Sequence, residues 1–359
     1  MGGKSKIEWT EATWNPTTGC SKVSPGCAGC YAERLTAGIL SHHPHYAGLT
    51  NAKGHFTGEV RCHEDSLDLP LHWRDPRTIF VNSMSDLFHK GVPFEFVHKV
   101  FSVAHLAPQH VYQILTKRPE RAVEFEPWLR RGIRGLDGPT VFTPERIVPD
   151  DQLDDETFRR SRRGQYYPLP NVWLGASAEN QETFDVRVPH LLRCPAAVRF
   201  LSLEPLLGPI SLLRDFGPNV VGKTTIIHDR VNWVIVGGES GPGARPMNPD
   251  WVRSIRDQCG AAGVPFFFKQ WGEWGPDYAF VRAVNVHPAS GVVDNPNERM
   301  GPQGLAVAGC NSMFRVGKKA AGRRLDGRTW DEMPTGLSTE NTESTEGRLK
   351  SASSVSSVE

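Results

Sequence analysis

A chain of 359 residues, 38% hydrophobic and 23% charged, holds enough apolar matter for one large α/β barrel or two smaller domains, with a substantial core in either case. Its formal net charge of +1 removes any global electrostatic case for binding nucleic acid or a membrane surface and leaves only local basic patches to consider. No apolar run reaches the roughly 18 residues of a membrane span and no export signal opens the chain, so a cytoplasmic protein is expected, in which clustered cysteines read as ligands or redox groups before disulfides.

In chain order, a first strand is expected at KIEWTEATW (6–14), followed by six clearer ones: TIFVNSM (78–84), VYQILTK (111–117), NVWLGAS (171–177), VRFLSLEP (198–205), NWVIVGG (232–238) and PFFFKQW (265–271). Each is a β-branched or aromatic run that ends in polar or glycine-rich sequence. Helix-like stretches lie between them, including FEFVHKVFSVAHLA from Phe94 and MNPDWVRSIRDQCGAAG from Met247, where Pro249 suits a first turn and Gly263 a C-terminal stop. Apolar strands alternating with helices predict a parallel sheet covered on its helical side. The fold class is α/β, a partial or complete β/α (TIM-like) barrel, with a doubly wound sheet as the rival.

The strand ends carry polar residues where the strand bodies do not: Asp86, Lys117 with Arg118, Glu179 with Asn180, Glu204, Glu239, and Lys269 with Gln270. A barrel would gather these at one mouth, where the chemistry of that fold resides; taken singly, each also reads as an exposed loop residue or a surface ion pair. Asp86 and His89 stand three apart, close to one face if the segment is helical, so they are candidates for holding substrate or moving a proton; a cap followed by a surface histidine is the plainer reading. Lys117 and Arg118 are candidates for an anionic ligand group. In WVIVGGESGPGARP, Gly237 and Gly238 allow close backbone approach, Glu239 offers an acceptor to an amino group or ribose, and Arg245 suits a carboxylate or phosphate. With Asn180 and Glu204 they make a candidate cofactor site, although a glycine-rich connection alone would read the same. The segment matches neither the P-loop nor the dinucleotide-binding pattern.

GCSKVSPGCAGCYAERL concentrates Cys20, Cys27 and Cys30 of the chain's seven cysteines ahead of a helix-like run. Glycines 19, 26 and 29 are expected to let the backbone turn beside the thiolates, and Pro25 to restrict the longer step. A structural zinc would ask for a fourth ligand, from Cys62 or His63, or from His42, His43 or His45. A [4Fe–4S] cluster also accepts thiolates, and three of them leave one iron open. The three cysteines by themselves do not choose between zinc, iron and a redox trio. Cys194, Cys259 and Cys310 are isolated and read as ordinary thiols.

Residues 1–334 are expected to form one barrel domain with an insertion at about 126–170 and a basic C-terminal cap at about 310–334, and residues 335–359, rich in Ser, Thr and Glu, a disordered tail. The insertion brings arginines with Tyr166 and Tyr167. The cap brings Lys318, Lys319, Arg323, Arg324 and Arg328 around Trp330. Both could meet a phosphate backbone and a base, or could be a solvated charge run and a packed structural cap.

Taken together with the cysteine region, the ordered series ATWNPTTGC, VNSMSDLFH, QILTKRPER, VWLGASAENQE, RFLSLEPLLGPI, WVIVGGESGPGARP, PFFFKQWGEW and KKAAGRRLDGRTWDEMP resembles the phage Gp37/Gp68 family of uncharacterised proteins. That family is similar to the radical S-adenosylmethionine enzymes. The resemblance implies a partial barrel with three cysteines after its first strand, a [4Fe–4S] cluster on Cys20, Cys27 and Cys30, S-adenosylmethionine on the open iron, and an external electron donor. The commonest motif of those enzymes is tighter between its first two cysteines and has an aromatic residue just before the last. Here six residues separate Cys20 from Cys27, Gly29 takes the aromatic place and Tyr31 follows Cys30. The expected function is an iron–sulfur protein, a radical S-adenosylmethionine enzyme acting on an unidentified substrate, for which a nucleotide or nucleic acid is the favoured class; the alternative is a noncatalytic zinc- or iron–sulfur-stabilised nucleic-acid-binding protein.

Overall fold

Seven short apolar segments line up in chain order in the computed structural model, which describes residues 2–5, 7–132, 141–142, 165–213, 230–276, 283–286 and 311–334. The first part of the chain gives β1 (Gly2–Lys4), β2 (Ala12–Trp14), β3 (Thr17–Thr18), α1 (Tyr31–Ala37), β4 (Arg61–Cys62), β5 (Thr78–Val81), α2 (Phe94–Leu106), β6 (Val111–Thr116) and α3 (Pro119–Gly132). The middle gives β7 (Val141–Phe142), β8 (Gln165–Tyr166), β9 (Val172–Ser177), α4 (Gln181–Arg193) and β10 (Val198–Leu203). The last part gives β11 (Trp233–Gly237), α5 (Pro249–Ala262), β12 (Phe266–Gln270), β13 (Trp274–Gly275), β14 (Ala283–Val286), β15 (Asn311–Arg315) and α6 (Lys318–Ala321).

The main sheet runs β1-β2-β5-β6-β9-β10-β11-β12. Every neighbouring pair from β2 to β12 is parallel, and β1 alone is antiparallel, on β2. The order never reverses, so there is no switch point of the kind that defines a doubly wound sheet. Nor does β12 pair back to the first strands among the described residues, which makes this a seven-stranded parallel half-barrel rather than a closed barrel. The open edge at β12 is covered from the C-terminal segment: Phe268 N–H donates to Trp330 O (2.9 Å) and Trp271 N–H to Gly322 O (3.1 Å). Such cover blunts an edge that would otherwise offer unpaired backbone groups.

The period of two along each strand divides the core. One set of alternating positions, including Ile79, Val81, Ile114, Leu174, Leu201, Leu203, Val234, Val236, Phe266 and Phe268, packs against the helices. The other set, Phe80, Trp173, Phe200, Trp233, Ile235 and Phe267, gathers around Trp9 and fills the bore. Trp9 meets Phe80 edge-on at 4.8 Å and Trp233 at 6.0 Å. This explains why the first strand is shorter than the expected 6–14: residues 7–10 turn, with Thr10 N–H on Ile7 O (3.2 Å), to drop Trp9 into the bore, and only Ala12–Trp14 pairs with β5. Further along the same inward positions the side chains become polar, with Lys117, Ser177, Glu204 and Lys269 above the aromatic layer. Chemistry in this fold therefore sits at the C-terminal ends of the strands.

Of the expected insertion, the part through Gly132 is the last two turns of α3, and β7 pairs antiparallel with β8. Residues 133–140 and 143–164, like the tail at 335–359, lie outside the described residues.

Candidate metal centre

Cys20, Cys27 and Cys30 lie on a loop that crosses the mouth of the half-barrel. It leaves β3 at Gly19, whose φ of +87° and position against the Glu59 carbonyl leave no room for a side chain. Ser85, just past β5, fixes this exit by donating its hydroxyl to Gly19 O (2.6 Å). Cys27 ends a single 3₁₀ turn, Pro25–Cys27, and Cys30 is the N-cap of α1. All three cysteines are half-buried.

What holds the loop down is a set of contacts to three strand ends. Gly26 N–H donates to Glu179 Oε1 (3.1 Å) beyond β9, and Arg245 Nη2 donates to Pro25 O (2.9 Å) from beyond β11. Tyr31 hydroxyl donates to Ser83 O beyond β5, and Arg34 Nη2 to Ser240 O (3.3 Å). Gly29 presses on Glu239: a Cβ there would stand 2.7 Å from Oε1. Of the three loop glycines, then, only Gly19 serves a left-handed turn. Gly26 and Gly29 instead lie in close approach to the buried carboxylates of Glu179 and Glu239. A side chain at position 29 would press on Glu239.

Behind Cys20 lies a buried ionic hub. Asp86 Oδ1 accepts from Thr116 Oγ1 (2.7 Å) and Phe88 N–H (3.0 Å), while Oδ2 accepts from Lys117 N–H (3.0 Å) and Arg118 Nη1 (2.8 Å). Arg118 Nη1 also lies 3.8 Å from Cys20 Sγ, and its Nη2 donates to Ser21 O (2.8 Å) and Ser21 Oγ (3.0 Å). Asp86 and His89 are neither helical nor exposed. His89 is buried in a turn, where Nδ1 accepts from Gly91 N–H (3.0 Å), so Nε2 carries the proton and donates to Ser21 Oγ (2.8 Å). Burial, assisted by Arg118, pushes its pKa down to about 4. His89 is thus a neutral prop for the cysteine loop, with both ring nitrogens in hydrogen bonds. Lys117 Nζ donates to Ser177 Oγ (2.7 Å) in the polar layer of the bore.

The depressed His89 pKa has a consequence for stability. The unfolded chain takes up this proton near pH 6.5 and the native chain only near 4, so folding is favoured above the unfolded value and weakens as pH falls through that window. His89 alone is expected to cost on the order of 2 kcal/mol between pH 7 and pH 5. Urea titrations at the two pH values check this, and His89→Gln should show a smaller loss than wild type. An equal loss in the two proteins rejects the assignment.

The residues expected to hold a cofactor are placed as follows. Asn180 caps α4, its side-chain oxygen accepting from Thr183 N–H (3.0 Å) in a capping box, so that oxygen is committed. Glu239 is buried and clamped by Arg245, with Oε2 accepting from Nε (2.8 Å) and Oε1 from Nη2 (2.6 Å). The two act as one neutral pair bracing the loop rather than as two separate ligand groups. Gly238 is needed because Trp271 O occupies the place of a Cβ, and Gly237 because Glu204 does, so both make room for protein. Glu204 accepts from Lys269 Nζ (2.9 Å) and Gln270 Nε2 (3.2 Å). Gln270 is buried, and its Oε1 has no hydrogen-bond partner among the described residues. Glu179 carries more weight than its sequence position suggested. Burial alone would raise its pKa, but Ser24, Arg187 and the Gly26 N–H hold it low, and Arg187 Nη1 pairs with it at 2.9 Å.

Burial pushes Cys20 up to about 11 and raises Cys30, so as bare thiols these are poor nucleophiles and a redox trio is disfavoured. For zinc, tetrahedral bonds of about 2.3 Å put sulfurs about 3.8 Å apart. The only His/Cys/Asp/Glu trio among the described residues whose ligand atoms lie within 4.8 Å of one another is His45, His63 and Asp65, so neither the three sulfurs nor two of them with a histidine form so tight a group. The three thiols stand beside the cations of Arg118 and Lys117. Ligation would displace the thiol protons.

The groups expected to meet nucleic acid are mostly engaged. Tyr167 packs on Phe101 and Phe125 in the core. The Trp330 ring contacts Phe266 edge-on and has Arg328 and Arg256 over it, at 3.4 and 5.2 Å. Arg323 pairs with Asp331 and Arg324 with Gly327 O. The cap is a structural closure, with Lys318 and Lys319 exposed beside Lys269. Cys194 and Cys259 are buried, and Cys310 lies outside the described residues. Among the described residues, no helix is long and apolar enough to cross a membrane.

No curated protein and no solved structure matches the chain. A family model described as a protein of unknown function, DUF5131, spans residues 4–334, from the first strand through the cap that closes the sheet, and the chain belongs to that family.

Proposed function

We propose that this protein is an iron–sulfur enzyme of the radical S-adenosylmethionine kind, as its likeness to the phage Gp37/Gp68 proteins implies, with a [4Fe–4S] cluster on Cys20, Cys27 and Cys30. One observation carries the reading: the cysteine loop is pinned across the C-terminal mouth of a parallel half-barrel by strand-end groups from β5, β9 and β11. When bound, the cluster supplies electrons from an external donor and the cofactor supplies the reactive group. The chain's own part is orientation. Glu179 and the Glu239–Arg245 pair brace the loop, Lys117 and Arg118 set positive charge beside the cysteines, and the unpartnered Gln270 Oε1 with Glu204 offers acceptors to the amino or hydroxyl groups of the cofactor.

The substrate is proposed as a nucleotide or a phosphate-bearing relative, because Lys319 lines one cleft with Lys269 and Lys318, which pair with Glu204 and Glu8. Binding of this class should fall with added salt. Anaerobically reconstituted, reduced protein is expected to bind S-adenosylmethionine, change the cluster's magnetic spectrum and release 5′-deoxyadenosine. Gln270→Leu should weaken cofactor binding about tenfold, the cost of one lost hydrogen bond to a charged group. A spectrum indifferent to the cofactor removes the enzyme reading, whereas unchanged affinity in Gln270→Leu removes only that residue's role.

A further inference from the structure

We infer a second metal site, formed by His45, His63 and Asp65, that takes one divalent transition ion of the zinc class. The site is separate from the three cysteines and does not depend on what they hold. Ligand atoms of the three side chains lie within 4.8 Å of one another. His63 follows β4 directly, its N–H held by Pro16 O (2.8 Å), and Asp65 lies in the 3₁₀ turn Glu64–Ser66. His45 comes from the turn that follows α1, brought in by Thr18 of β3.

Thr18 does more than bring the two histidines together. Its hydroxyl donates to His45 O (2.7 Å) and therefore must accept from His63 Nε2–H (2.8 Å). That contact fixes the ring of the buried His63 and leaves Nδ1 as its lone pair, the arrangement by which an outer group orients a metal-binding histidine. On the other side, His45 Nε2 stands 3.3 Å from Asp65 Oδ2. An ion would take the place of the contact between these two.

The donor set selects the ligand class. Two imidazoles and one carboxylate suit zinc, cobalt or nickel, while calcium and magnesium ask for oxygen ligands. Asp65 is exposed, with its side chain 70% accessible, so water can complete the coordination. In the structure the imidazoles are stacked, 3.8 Å apart and 12° from parallel, and their lone pairs do not yet converge. Ligation requires one ring to turn; His45 is the more exposed of the two, and His63 is the one held by Thr18.

The position gives the ion a task. Thr18 is two residues before Cys20, so an ion on His63 and His45 would brace the β3–β4 pair from which the cysteine loop departs. It also alters how metal content is read: about one zinc per chain can belong here while the cysteines carry iron.

The test uses the full chain with Cys20→Ser, Cys27→Ser and Cys30→Ser combined, stripped by chelator and titrated with cobalt and then zinc. The expected result is one equivalent of cobalt, with visible ligand-field bands, no thiolate charge-transfer band, and displacement by zinc. Asp65→Asn and His45→Ala, both at accessible positions, should each weaken binding at least tenfold. Should the triple variant fail to fold, His45→Ala in the otherwise native chain should hold one fewer cobalt than the wild type. Unchanged binding in His45→Ala and Asp65→Asn, absence of binding in a folded triple variant, or a thiolate band there overturns the assignment.

Discussion

Each of Cys20→Ala, Cys27→Ala and Cys30→Ala is expected to abolish or severely reduce incorporation of the cluster, with iron and acid-labile sulfide lost together. Three thiolates are the fewest that hold a cube and leave one iron open, and the three positions are not exchangeable. One follows the left-handed exit from β3, one ends a 3₁₀ turn, and one caps α1. The nearest thiol in sequence, Cys62, is committed to β4 opposite Thr17 and packs on the main core, so it cannot swing into a vacated place. Cys62→Ala should therefore keep its iron. The measurement is iron, sulfide and zinc per chain after anaerobic reconstitution, made in the Asp65→Asn background so that the second site does not contribute zinc. Full iron and sulfide in any of the three alanine variants rejects the ligand set, and one zinc without sulfide in that background rejects the cluster.

Much of this site could be read before the fold was known, for a definite reason. Parallel strands buried on both faces show as short apolar runs, and the polar residue that ends each run marks the mouth, so Asp86, Lys117, Glu204 and Glu239 were found from pattern alone. What those residues do there was not legible. Pairing depends on distances between strands that sequence does not contain: Glu239 and Arg245 read as two separate ligand groups and form one clamp, and Asn180 reads as a ligand and is a helix cap. The glycines teach the same lesson. Gly26 and Gly29 look like turn residues because glycine most often is one, yet they lie in close approach to Glu179 and Glu239, some 150 and 210 residues away in sequence. Helices α3 and α4 contain Pro127 and Pro189, which interrupt the periodic pattern without ending the helix. The tryptophan in the bore was hidden differently, since a three-residue strand preceded by a turn looks like one longer strand.

Asp86→Ala should be the most destabilising of the single changes at the mouth, by about 3–5 kcal/mol. The carboxylate gathers four hydrogen bonds, and the guanidinium it faces is itself buried, so removing it leaves Arg118 charged with no counterion. Adding Arg118→Met to Asp86→Ala should restore part of the loss, because the uncompensated charge goes with it. Chemical unfolding of wild type, both single variants and the double variant forms the necessary cycle. The function of the hub separates from its stability in the Arg118→Gln variant. A positive charge 3.8 Å from Cys20 Sγ favours the more negative, reduced form of a cluster ligated there, so its removal should make the reduction potential more negative while iron content stays near wild type. If Asp86→Ala costs less than about 1 kcal/mol, or the double variant is no more stable than Asp86→Ala, the buried pair is not what holds this end of the mouth together. If instead the cycle behaves as expected and the potential of Arg118→Gln does not move, Arg118 supports the loop through Ser21 alone.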